Sequence, residues 1–259
     1  ITRDNIVEIL KNAMTIHKKN SGEIDYLYQY YKGNQPILQR VKAVRPEINN
    51  KVVENNALEI VDFKKGYVFG EPVQYVRRGE TEGVSEKITQ LNEFMFAEDK
   101  AARDNELAEW FYICGTSYRM VLPDVNFEED ESPFELDTLD PRYAFVVYNN
   151  GFGKNPLMGV KYIQTDKDTT LYSIYTPTTY FEIEDDKVVK EEAHVLGDIP
   201  IIEYPANSAR LGAFEIVLGL LDTLNNTVSN RMDGIEQFIQ AFMKFVNCDI
   251  DEEQFTALK

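Results

Sequence analysis

Residues Arg210–Val246, RLGAFEIVLGLLDTLNNTVSNRMDGIEQFIQAFMKFV, decide the architecture. Phe214, Val217, Leu221, Leu224, Val228, Met232, Ile235, Ile239, Phe242 and Val246 recur at steps of three and four, the spacing of one face of a helix. At 1.5 Å per residue an unbroken helix over this stretch is about 55 Å long, more than twice the usual helix length. The apolar seam predicts lengthwise packing on a partner surface, and part of the helix should project beyond its own domain. The other face carries Asn225, Asn226, Thr227, Ser229 and Asn230, polar but weakly charged. Such a face suits hydrogen-bonded contact with neighbours, a water-filled lumen or plain solvation, and the sequence leaves all three open.

Working outward, the sequence ahead of this helix changes period once. Up to residue 114 the apolar spacing is helical. A first helix is predicted over Asn5–His17, and a second, aromatic-rich one opens at Ser21 and Gly22, runs through Tyr30 and Tyr31, and is ended by Gly33 and Pro36. A third covers Asn50–Lys65 with Gly66 as its C-cap, followed by a short strand Tyr67-Val68-Phe69. Two more are predicted at Glu86–Met95 and Ala101–Ile113, capped by Ser85 and Asp99, the latter ended by Gly115. From there the period is two: Tyr118–Leu122, Tyr143–Tyr148, Leu157–Gln164, Thr170–Tyr175, Thr179–Glu184 and Lys187–His194 read as antiparallel strands. Asn149-Asn150-Gly151 and Asp185-Asp186 supply turns between them. The predicted class is α+β, a mixed helical and antiparallel β domain followed by one long helix.

The protein has 259 residues, 43% of them apolar, enough to bury a substantial core. No apolar run approaches the roughly eighteen residues that suggest a bilayer span, so the reading is soluble and intracellular, with no membrane. Cys114 and Cys248 lie far apart without a CxxC partner, which indicates neither a disulfide framework nor a structural zinc site. The net charge of −17 is uneven: residues 1–80 hold 13 Lys and Arg against 10 Asp and Glu, and the remainder 14 against 34. A protein that grips DNA phosphates needs clustered cations; this one should repel DNA over most of its surface. The cations Lys11, Lys18, Lys19, Arg40, Lys42, Arg45, Lys51, Arg77 and Arg78 suit the acidic remainder of an adjacent copy, with contact to DNA as the lesser alternative.

Catalytic signatures are absent. There is no P-loop, dinucleotide fingerprint, nucleophile elbow or HExxH, and His17 and His194 are the only histidines. Asp137, Asp140, Asp166 and Asp168 are the candidates for a carboxylate-metal nuclease or hydrolase, but they sit at strand ends and in a turn, where Asp is favoured for turn chemistry alone. Trp110 and the tyrosines fall on apolar helix faces without interleaved cations, which favours packing over base stacking. No catalytic, cofactor-binding or metal-binding residues are assigned.

Four segments, in order, carry a resemblance. They are Tyr30-Tyr31-Lys32-Gly33 with Ile37-Leu38; Asn49-Asn50-Lys51-Val52-Val53-Glu54-Asn55 leading to Ile60-Val61-Asp62; Gly66-Tyr67-Val68-Phe69-Gly70-Glu71-Pro72-Val73; and Gly197-Asp198-Ile199-Pro200-Ile201-Ile202-Glu203-Tyr204. With the long helix, this ordered set resembles the portal family of siphophages that infect Gram-positive bacteria.

The resemblance implies a structural, non-enzymatic subunit without cofactors, in a ring of about twelve copies at one capsid vertex. Such a ring is the channel for DNA packaging and ejection, passes double-stranded DNA without sequence-specific binding, and docks terminase and the head-tail adaptor beside scaffold and capsid proteins. It implies a phage or prophage origin, assembly in the host cytoplasm and residence in the virion. Residues 1–208 would be the wing, helical over 1–114 and β-rich over 116–205; 209–246 the first stem helix; 247–259 the start of the clip. A second stem helix, channel loop and crown would follow Lys259, so the chain is expected to be truncated. Phe214, Val217, Leu221, Leu224, Val228, Met232, Ile235, Ile239 and Phe242 would be subunit contacts. Readings from other classes are a cytosolic scaffold or adaptor, which accounts for the helix and the charge but not the ordered segments, and the carboxylate-metal enzyme.

Overall fold

The computed structural model describes residues 1–79, 84–124, 127, 131–165 and 169–241. The protein divides into two compact units, one of Ile1–Asn34 with Asn55–Leu218, the other of Gln35–Glu54 with the residues from Gly219. The class is α+β, with five helices and two antiparallel sheets among the described residues.

In the first unit, α1 (Ile6–Tyr31) is one helix of 26 residues rather than the predicted two. Leu10, Met14, His17, Ile24 and Leu27 form one continuous buried stripe across Ser21 and Gly22. A glycine in a helix interior costs about 1 kcal/mol, less than burial of any one of those aliphatic side chains returns. Gly33, at φ 89°, ends the helix: its N–H bonds Tyr30 O and the Asn34 N–H bonds Gln29 O, the Schellman arrangement. α2 (Asn56–Phe69) runs through Gly66, so the predicted C-cap and the strand Tyr67–Phe69 are both corrected to helix. Those three residues have no sheet edge to join, whereas Ala57 and Val61 bury one side of α2 toward α4. α3 (Val84–Ala97) and α4 (Lys100–Cys114) stand where predicted. Ser85 lies inside α3, and Asp99 precedes α4 in a left-handed conformation, its carboxylate making no cap bond.

The strands are β1 (Thr116–Pro123), β2 (Phe134–Leu139), β3 (Ala144–Tyr148), β4 (Pro156–Gln164), β5 (Thr170–Tyr175), β6 (Thr179–Glu184), β7 (Lys187–Ala193) and β8 (Ile201–Pro205). β3 to β7 form a meander of five, and β1 is the centre of a second sheet in the order β2-β1-β8. β2 and β8 were not predicted as strands. β8 has only five residues, follows Pro200, ends on Pro205 and pairs with a strand 85 positions earlier, Thr116 opposite Pro205 to Met120 opposite Ile201. The first turns of α1 place Ile6, Leu10 and Met14 on Phe145, Met158 and Val160 of the meander, and Tyr118, Met120, Ile199 and Ile201 close the same core.

The predicted turns hold. Asp185 and Asp186 both adopt positive φ, 48° and 60°, as a two-residue hairpin whose twist matches its strands requires. Lys154, in the β3–β4 loop, has φ 46°, a conformation that costs an L-residue about 1–2 kcal/mol. Replacing Lys154 with glycine is therefore expected to stabilise the protein by about 0.5–1 kcal/mol after the entropy of glycine is subtracted, read as a rise of about 2 °C in Tm.

Candidate functional site

The second unit is built on α5 (Leu218–Ala241) and a strap, residues 35–54, which has one turn of 3-10 helix at Pro36–Gln39 and is otherwise irregular. On α5, Asn225, Ser229 and Asp233 are four residues apart, so they form one polar stripe. All three are buried, and each is met by the strap. Asn225 Oδ1 accepts the Glu54 N–H at 2.8 Å and its Nδ2 donates to Gln35 Oε1. Ser229 Oγ accepts the Val52 N–H at 3.0 Å.

Asp233 is the node. It accepts the Asn50 backbone N–H at 2.7 Å and the Asn50 side-chain amide at 3.0 Å, and pairs with Lys42 at 3.0 Å and Arg40 at 3.1 Å. Glu236, one turn on, accepts the same Asn50 amide at 2.9 Å, and Arg40 also donates to Asn230. Burial opposes ionisation of Asp233, but the two Asn50 donors and Lys42 outweigh it and hold the carboxyl at a pKa of about 2. The strap is further tied to itself: Lys42 donates to Ile48 O, Asn49 to Arg40 O and Lys51 to Leu38 O.

The polar stripe is thus the covered one. Of the predicted contact residues, Leu224, Met232, Ile235 and Ile239 are exposed, Ile239 at 71%. Val217 and Val228 are half-buried and Leu221 is buried. Phe214 is fully buried in the first unit, its ring stacked on Tyr30 at 5.9 Å, and Phe242 lies outside the described residues. The long helix is interrupted at its start: Glu215–Val217 is a 3-10 turn, and the α-helix begins at Leu218. Sequence reasoning offered Arg40 and Lys42 to an adjacent copy, whereas both pair within the chain with Asp233, and it missed the part that Asn50 and Asp233 play. The four-residue spacing of Asn225, Ser229 and Asp233 was the one signal available.

Elsewhere in the first unit a cleft of about 540 Å³ opens beside Glu203, lined also by His17, Tyr148 and Arg210. The Glu203 carboxylate takes Arg210 at 2.5 and 3.0 Å, the Tyr148 hydroxyl at 2.7 Å and the Thr116 hydroxyl at 3.1 Å. Burial works against its charge, and these donors more than offset that, keeping its pKa below the usual carboxylate range. It is a satisfied structural acid. Burial lowers the pKa of His17, which sits 4.3 Å over Phe145 with Nε2 near Arg142 O. Burial raises the Cys114 thiol to about 12, which leaves it protonated and unreactive.

The carboxylates weighed for catalysis do not converge. Asp140 is spent on Arg142, at 2.6 Å, and Asp137 is exposed near Arg103; Asp166 and Asp168 lie outside the described residues. Among the described residues no group of three or more His, Cys, Asp or Glu is placed to hold a metal ion, and no helix is long and apolar enough to cross a membrane.

Compared with known families, residues 10–259 match the phage portal protein family, SPP1 Gp6-like. The chain belongs to that family, a structural and oligomeric component of the phage head. No curated protein matches it.

Proposed function

We propose that the chain is the ring-forming subunit of the portal vertex, a passive conduit for double-stranded DNA during packaging and ejection and a docking face for terminase and the head-tail adaptor. In this reading residues 1–208 are the wing, 209–246 the first stem helix and 247–259 the start of the clip, and the exposed seam of α5 meets neighbouring subunits. The single observation that supports it is the inverted burial of α5: Asn225, Ser229 and Asp233 are covered while Met232, Ile235 and Ile239 are bare. A water-facing helix ordinarily hides its apolar stripe, and a stripe of this length left open marks a surface that another protein covers. The net charge of −17 fits a conduit whose walls let phosphates slide past without sticking.

The test is Ile235→Glu. The side chain is 47% exposed, so the melting temperature should be unchanged, while ring formation, followed by light scattering and negative-stain microscopy, should weaken at least tenfold in the concentration needed. Assembly at the wild-type concentration would show that the seam is not a subunit contact.

A further inference from the structure

The turn Asp140-Pro141-Arg142-Tyr143, between β2 and β3, carries a cation into the first unit. The guanidinium of Arg142, on a side chain only 18% exposed, stands 4.4 Å from the centre of the Tyr28 ring and 5.3 Å from that of Trp110, and these two rings are themselves stacked 4.9 Å apart. Tyr143 is a third ring, at 5.7 Å. Two carboxylates complete the surround: Asp140 accepts from Nε at 3.0 Å and Nη2 at 2.6 Å, and Asp25 accepts from Nη1 at 2.9 Å. Acceptors at the edge and aromatic rings at the face match a planar, forked cation on both counts. An ammonium could use the charge but not the fork. Lys32 also stands 5.4 Å from the Tyr28 ring, but it is exposed to water.

We propose that Asp25, Tyr28, Trp110 and Asp140 form a guanidinium-binding site, which the protein fills with its own Arg142, and that this internal ligand fastens the turn to α1 and α4. The walls come from three places: Asp25 and Tyr28 from α1, Trp110 from α4 and Asp140 from the turn itself. α1 is fitted to the backbone of the same residue as well. The Arg142 carbonyl accepts from Ser21 Oγ at 3.0 Å and from the Tyr162 hydroxyl at 2.8 Å, and His17 Nε2 lies 3.1 Å from it. A carbonyl only accepts, so in neutral His17 that nitrogen carries the proton. Ser21, of a type that competes with a helix when it lies in the interior, thus has a partner that accounts for its place in α1. Emptied of Arg142, the site would hold two carboxylates beside aromatic faces, which favours a free guanidinium ion over an anion and over its neutral isostere urea. The site lies wholly within the first unit and does not depend on how the protein assembles.

Arg142→Ala in the whole protein is the test, with Trp110, the single tryptophan, as the reporter. The substitution removes the shared partner of two carboxylates, and Tm should fall by about 8 °C. Guanidinium chloride should restore part of the loss: with a dissociation constant on the order of 1 mM, roughly 20 mM should raise the Tm by about 5 °C and shift Trp110 emission along a saturating curve. Potassium chloride and urea at the same concentration should do neither, and the wild type, already filled, should show no rise. A variant that responds equally to all three solutes, or to none, overturns the proposal. Should Arg142→Ala fail to fold, Arg142→Lys decides, since it keeps the charge and loses the planar fork: a Tm about 4 °C below that of the wild type is expected, and a Tm equal to it would show that the site does not select guanidinium.

Discussion

Replacing Asp233 with alanine should release the strap from α5, at a cost of about 3–5 kcal/mol to the second unit, the range for removing one partner of a buried ion pair. The loss is large because two cations depend on one acid. Arg40 and Lys42 pair with Asp233 at 3.1 and 3.0 Å, and their side chains are only 15% and 27% exposed, so alanine leaves both short of a counter-charge in a poorly solvated place. Asp233→Asn should cost less, since the amide oxygen still accepts from Asn50 and only the charge is lost. Hydrogen exchange is the direct readout: the Val52 and Glu54 amides, bonded to Ser229 and Asn225, should lose protection together in Asp233→Ala.

Acid should do reversibly what the substitution does permanently. Asp233 is held at a pKa of about 2 in the folded protein, against about 3.9 for an unfolded aspartate. The unfolded state therefore binds the proton first, and the stability that Asp233 contributes is complete above pH 4 and lost as the pH falls toward 2. Exchange of the Val52 and Glu54 amides, corrected for its intrinsic pH dependence, should rise across that window in the wild type and stay flat in Asp233→Asn. A flat wild-type profile would mean that the carboxylate does not hold the strap.

The strap also marks where the sequence stopped being legible. The seam of α5, the change of period near residue 115 and six of the eight strands could be read because each is a local repeat of apolar residues. The strap has no repeat: its order comes from side chains far along the sequence, Asn50 and Asp233 being 183 residues apart. The polar face of α5 was visible in Asn225 and Ser229, but whether water, a neighbour or the protein itself covers it is a tertiary fact. β8 was hidden for the same reason, as its pairing with β1 is distant. The false break in α1 has the opposite cause: Ser21 and Gly22 are genuine local signals, overruled by a buried stripe that continues past them. The ordered family segments carried what periodicity did not, because they record spacing without needing the contacts that explain it.

Two glycines in nearly the same conformation should give very different results when changed to alanine. Gly115 has φ 74° and Gly197 has φ 72°, so each substitution meets the left-handed penalty of about 1–2 kcal/mol. At Gly197 nothing lies within 4 Å of the added methyl, and the penalty is the whole cost. At Gly115 the methyl would stand 2.4 Å from the carbon and the oxygen of the Arg210 backbone carbonyl. That segment cannot yield: Ala206 N–H bonds Gly115 O at 2.9 Å, Ala213 N–H bonds Tyr112 O at 2.7 Å, and a methyl on Gly212 would itself stand 2.2 Å from Ile113 O. Backbone crosses backbone at two points, and the stretch leading into α5 is pinned to the end of α4. Gly115→Ala should therefore cost more than about 4 kcal/mol, in the range reserved for a broken structural feature, while Gly197→Ala stays near 1–2. Urea unfolding of the two variants measures the difference; equal costs would mean that Arg210–Gly212 gives way and is not fixed to the end of α4.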